Sequence, residues 1–156
     1  MHTHSRLMTV AGTLLAAIAL ATVVSAGELP EATTNALASS TFVYIASMRK
    51  DGHFGKPAEI WFLWHNGAVY VGTPPTSWRA RRIKAGRPQA HIAVGKPDGP
   101  SFQATGAIVK EPDVLPVLFD TYAKKYREGW THFEAKFRDG FKDGSRVLIK
   151  YTPKSS

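Results

Sequence analysis

The sequence predicts a mainly β fold: a six-stranded antiparallel barrel with a few peripheral helices. Three observations carry that prediction. Six runs rich in β-branched and aromatic residues are set apart by Gly, Pro, Asn and Asp. Asn66-Gly67 joins two of them with residues that tolerate the positive φ angles of a type I′ hairpin turn. No helical segment recurs between successive strands, as parallel βαβ units would require. At 156 residues the chain is one domain's worth, with 44% hydrophobic residues to build a core.

Taken in order, residues 29–40 read as a short helix, with Pro30 suited to its first turn and Leu37-Ala38 on its apolar side, forming a lid on the barrel. Residues 41–48 are the first strand, and Asp51-Gly52 turns the chain back. The second strand, 58–65, alternates Ile60, Phe62 and Trp64 with Glu59, Trp61, Leu63 and His65. Both faces are largely apolar, so this strand is expected to be covered twice, by the barrel interior and by something outside it such as another subunit. Residues 68–71 return across the Asn-Gly turn. Pro74-Pro75 ends that strand, and Thr76 or Ser77 caps a short helix carrying Arg79, Arg81, Arg82 and Lys84, with Arg87 just beyond. Residues 90–95 and 102–109 are the fourth and fifth strands, separated by a tight loop at 96–100. A helix beginning at residues 111–113 places Val114, Leu115, Leu118, Tyr122 and Tyr126 at helical spacing, with Pro116 early enough to be tolerated. Residues 130–141 form another short helix, and 146–152 the last strand.

Composition removes several functions. With no cysteine there is no thiol nucleophile, disulfide, iron–sulfur cluster or Cys-ligated zinc. The net charge of +8 favours an anionic partner. No basic run is interleaved with exposed aromatics as a single-strand platform needs, so nucleic acid is not expected. Residues 1–26 read as a signal peptide: an uncharged, Leu- and Ala-rich stretch follows the lone Arg6 and ends in Val24-Ser25-Ala26. The alternative is a retained anchor. The expectation is export by the general route to the periplasm or medium, with residues 27–156 as the folded domain and no stable membrane anchor after cleavage.

The candidate site is the basic helix mouth. A Ser hydroxyl, helix N–H groups and guanidinium forks at Arg79, Arg81 and Arg82 are complementary to an anion, phosphate above all. The competing reading is a solvated basic face. Glu59, inside an apolar strand, requires either a basic partner or a place in a groove. Trp61, Trp64 and Trp78 weigh toward core or subunit interface, with a ring contact to a ligand as the other possibility. His53, His65, His91 and His132 show no metal-ligand spacing, and neither a Ser–His–Asp order nor a carboxylate pair points to a hydrolase.

In the order of its pieces the chain resembles the pyridoxamine-phosphate-oxidase-like flavin-binding split barrels, a superfamily that includes deazaflavin-dependent reductases. The markers are FVYIASMRKDG, the EIWFLWHNGAVYVGT hairpin, the turn with Ser77, Arg79 and Arg81, FQATGAIVKEPD and the closing RVLIKYTP. The resemblance implies an FMN-binding split barrel that works as a homodimeric oxidoreductase on a small molecule. It places the cofactor phosphate near Thr73, Ser77, Arg79 and Arg81, and the ring along Glu59, Ile60 and Trp61, with Trp78 and Arg82 completing the candidate set. Deazaflavin F420 and haem are the alternative cofactors, with a single His as axial ligand for haem, and a non-enzymatic barrel that sequesters an anionic ligand is a further alternative. Because the general export route passes only unfolded chain, any cofactor would be acquired after translocation.

Overall fold

The computed structural model describes residues 27–155, so the expected export signal at residues 1–26 lies outside the described part. Helix α1 (Glu31–Ser39) precedes strands β1 (Val43–Ser47), β2 (Ala58–Ile60), β3 (Leu63–His65) and β4 (Ala68–Thr73). Helix α2 (Trp78–Lys84), strands β5 (Gln89–Val94) and β6 (Ser101–Val109), helices α3 (Val114–Lys125) and α4 (Arg127–Asp143), and strand β7 (Val147–Pro153) follow. All pairings in the sheet are antiparallel, in the order β2-β1-β5-β6-β7-β4-β3. No helix among the described residues is long and apolar enough to cross a membrane.

The sheet has seven strands where the sequence predicted six, because the second predicted strand is two. Its first half, β2, pairs with β1 and its second, β3, with β4, so that β2 and β3 are the two opposite edges of the sheet. The segment 58–65 therefore bridges both edges and closes the barrel, and Trp61 and Phe62 at the crossing leave both ladders. A buried peptide group outside a ladder must find other partners. Here one face of α3 supplies them. Tyr122 Oη donates to the Trp61 carbonyl at 2.9 Å, the Phe62 N–H donates to Tyr126 Oη at 3.0 Å, and Lys125 Nζ reaches the Phe62 carbonyl at 3.4 Å. Tyr126 Oη passes its own proton to the Thr41 carbonyl at 2.7 Å. Residues 122, 125 and 126 fall on one helical face, which is why one helix can serve the whole crossing.

Two cores result. Inside the barrel, Val43, Ile45, Phe62, Val69, Val71, Ile92, Ala104, Ile149 and Tyr151 pack together, with Leu37 of α1 closing one end. Outside, Leu63, Tyr70 and Leu148 meet Leu118, Phe119, Tyr122, Trp130 and Phe137 from α3 and α4. The second strand is thus covered on both sides, as its pattern requires, and the chain's own helices form the outer cover rather than another subunit. Trp61 lies flat on Tyr126, with ring centroids 4.3 Å apart and planes 4° from parallel. Its indole runs so close to α4 that a Cβ at Gly129 would come within 2.6 Å of it. At the β3–β4 turn both Asn66 (φ 49°) and Gly67 (φ 71°) are left-handed, as a type I′ turn demands.

Tyr126→Phe keeps the stacked ring but orphans the Phe62 N–H and the Thr41 carbonyl. It should cost about 1–3 kcal/mol, read as a lower denaturant midpoint at constant m-value; an unmoved midpoint would remove the crossing from the account.

Burial pulls the Lys125 ammonium from 10.5 down to about 8. In the window between those values the unfolded chain holds the extra proton, so stability rises with pH there. The Phe62 ring, 3.7 Å from the Lys125 nitrogen, favours the cation and offsets part of the effect. Above the ordinary tyrosine pKa of 10.0, burial of Tyr122 and Tyr126 reverses the trend, since the unfolded phenols ionise first. Thermal midpoints should climb from pH 8 toward pH 10 in the wild type, and Lys125→Met should flatten that climb.

Candidate functional site

Two prolines end β4, and the Ser77 N–H donates to the Pro74 carbonyl at 3.0 Å to set the turn. Ser77 is the N-cap of α2, with its Oγ accepting from the Ala80 N–H at 3.3 Å. The choice left open between Thr76 and Ser77 falls to Ser77. The seven-residue helix lies against β1 and β6, and between it and the β1–β2 pair is a cleft of about 480 Å³. Ser47, Lys56, Ser77, Arg79 and Arg82 make its polar wall, with Ile45, Ala58 and Trp78 as the apolar one. Among the described residues no carboxylate lines it.

The basic residues do different work. Arg79 turns inward: its Nη1 donates to Thr73 Oγ1 at 3.2 Å, Thr73 is itself buried, and burial draws the guanidinium pKa below its ordinary value without discharging it. Arg82 is a strut, giving Nη1 to both the carbonyl (2.9 Å) and the hydroxyl (2.8 Å) of Ser47, which ties α2 to the end of β1. Arg81 is exposed and outside the cleft lining. Together with Arg82 it flanks the Trp78 ring, each guanidinium carbon 5.6 Å from the centroid. Trp78 is 69% exposed, so within one chain it belongs to no core. Lys56 is exposed at the cleft wall and makes no ion pair among the described residues, which leaves it free to meet a guest.

Of the residues expected along a cofactor ring, none lines this cleft. Glu59 stands opposite Tyr44 in the β1–β2 register and accepts its hydroxyl proton at 2.6 Å, on the opposite sheet face from Ile45 and Ala58. That bond to the Glu59 carboxylate is the first cause of the raised Tyr44 pKa. Ile60 packs toward the barrel interior, and Trp61 toward α3 and α4. The structure therefore brings together Ser77, Trp78, Arg79 and Arg82, adds Thr73 through Arg79, and leaves Glu59, Ile60, Trp61 and Arg81 outside.

Sequence reasoning missed Ile45, Ser47, Ala58 and Lys56. The first three look like ordinary strand residues, and only pairing of β1 with β2 brings Ile45 opposite Ala58. Lys56 left one faint signal, a lone cation directly before Pro57 at a strand entrance. Among the described residues no group of three or more His, Asp or Glu side chains could hold a metal ion. A second polar cluster, in which Glu111 accepts from Tyr70 at 2.7 Å and Lys150 at 3.1 Å, is a clamp. Its hydrogen bond from Tyr70 holds the Glu111 carboxyl below its ordinary pKa, and Lys150 is raised.

No family model and no curated protein matches the sequence. Solved structures do. An F420 reductase superposes with a TM-score of 0.53 at 21% identity, over 81% of this chain and 97% of the other. A conserved hypothetical protein from Mycobacterium tuberculosis gives 0.57 at 20% identity, over 81% of both chains. A heme storage protein from Vibrio cholerae gives 0.54 at 11% identity, over 80% of this chain and 89% of that one. At these identities the shared property is the fold.

The division of labour is testable by stability alone. Arg82→Ala should lose about 1–3 kcal/mol by freeing the end of β1 from α2, whereas Trp78→Ala should stay within about 0.5 kcal/mol of wild type. Equal losses would refute the assignment of strut and exposed ring.

Proposed function

We infer from the split-barrel fold of the pyridoxamine-phosphate-oxidase-like superfamily, which this chain has, that it is an exported flavin-type cofactor-binding protein. The cofactor of the reading is FMN, with F420 as its close alternative, and the activity is oxidoreduction of a small molecule. The observation that carries it is the single-sign cleft: Lys56, Arg79, Arg82 and Ser77 converge on a space of about 480 Å³ lined by no acid among the described residues. That volume falls in the range of small-molecule sites.

The residues present fit a phosphate-tailed ring. Arg79 is anchored by Thr73 through one nitrogen, which orients the rest of its fork, and a preset guanidinium suits a dianion better than a mobile one. The Ser77 hydroxyl keeps its proton to donate, because its oxygen is what receives the Ala80 N–H. Ile45 and Ala58 supply an apolar floor, and such a wall excludes water from a flat ring. When bound, the cofactor itself supplies the hydride or electron transfer.

A homodimer belongs to the same reading, supported by Trp78, an exposed indole at the cleft mouth that a second copy would cover. Haem is the competing guest, supported by the similarity to a heme storage protein. The absorption spectrum of protein purified from its native compartment separates the guests: blue and near-ultraviolet bands for FMN, one violet-edge band for F420, an intense Soret band for haem.

Titration with FMN tests the site. Arg79→Ala combined with Lys56→Ala should weaken binding by several kcal/mol, roughly a hundredfold or more, in protein whose circular dichroism is unchanged. Arg81→Ala should change little. Unaltered affinity in the double variant would move the site elsewhere.

A further inference from the structure

A second concavity shares no residue with the cleft. It is a groove of about 600 Å³ where the end of β6 and the start of β7 meet the C-terminal turn of α4 and the entry to α3. Its floor is apolar, made by Ile108, Val109, Leu115, Phe141, Val147 and Leu148. Five of these are only partly buried. The alternation of β6, exposed then buried from Ser101 to Ala107, breaks at Ile108 and Val109, which are both half-exposed and both apolar. Solvated apolar surface gathered in a pocket of this size is what a ligand's hydrocarbon covers.

The rim has a sign. Lys110, Lys142 and Arg146 border the groove, and none forms a salt bridge among the described residues. The two carboxylates at the same rim are already engaged. Glu111 accepts from Tyr70 and Lys150, and Asp143 Oδ1 accepts the Ser145 N–H at 2.8 Å. Arg146 is the most constrained cation: its guanidinium carbon lies 4.0 Å from the centroid of the Phe137 ring, and burial lowers its pKa. Three cations against two carboxylates, of which Glu111 is already paired with Lys150, leave the rim net positive around an apolar trough, and that complements a molecule with a hydrocarbon body and one anionic end.

We propose that this groove is a binding site for a small amphipathic monocarboxylate, a fatty acid or an aromatic acid, with its carboxylate on Lys110, Lys142 and Arg146 and its body on the apolar floor. Such a guest satisfies both halves of the groove, whereas an inorganic anion leaves the floor wet and a neutral hydrocarbon leaves the cations unmet. The site is independent of the flavin reading, since the cleft is built from β1, β2 and α2.

The experiment is a fluorescence titration of the full chain with dansyl-labelled undecanoate and, in parallel, its methyl ester. The acid is expected to bind at least tenfold more tightly than the ester. Lys110→Gln with Lys142→Gln, both exposed and so harmless to folding, should abolish that preference while leaving residual apolar binding. Leu115→Trp, which fills the floor, should weaken acid and ester alike, and FMN affinity should be unchanged in every variant. Failure of the wild type to bind, equal binding of acid and ester, or an unchanged preference in the lysine variant would each overturn the proposal. So would a parallel loss of FMN affinity, because it would merge the two sites.

Discussion

The molecule depends on how two consecutive peptide units are satisfied. Between β2 and β3 the chain abandons one edge of the sheet and joins the other, and the groups of Trp61 and Phe62 are left without ladder partners in a buried place. Two phenols and an ammonium, spaced along a single face of α3, replace those partners. Each such bond contributes on the order of 1 kcal/mol net, but leaving the groups unmet would cost more. The asymmetry explains why α3 is lined with tyrosines where leucines would bury as well. It also explains the stack of Trp61 on Tyr126, since the indole must lie flat where its own backbone is held.

The cleft obeys a second asymmetry. A run of arginines looks uniform in sequence, yet one guanidinium ties helix to strand, one is drawn inward beside Thr73 and one stays in solvent against an indole. Like charges so near one another are held apart when some are fixed by hydrogen-bond acceptors, and Ser47 and Thr73 are those acceptors. What is left unspent points into the cleft. The electrostatic character of the site thus follows from which donors the fold consumes.

Local signals in the sequence were read correctly. Asn66-Gly67, the prolines before α2 and the Ser77 cap each act over a few residues, and the structure has each of them. The break at Trp61-Phe62 was not legible, because the run from Ile60 to Leu63 contains no Gly or Pro and its partners lie some sixty residues downstream on α3. The doubly apolar second strand correctly announced a second cover, but composition could not say whose. Helix α4 starts at Arg127, ahead of the predicted 130, and runs through Gly129, whose missing Cβ lets Trp61 approach. In the site the cations were visible and their division was not, since it depends on Ser47 and Thr73, which have no charge.

Among the described residues, β7 is the strand that joins the β3–β4 hairpin to the rest of the sheet, pairing with β4 on one side and β6 on the other. A polypeptide leaving the ribosome amino end first therefore carries two half-sheets, linked through the 61–62 crossing, until β7 has emerged and docked between β4 and β6. Closure waits on β7, whatever strands have formed before it. The raw edges of β4 and β6 must be shielded from neighbouring copies for that interval, and a chain cut before Val147 would leave two fragments of sheet with no strand between them.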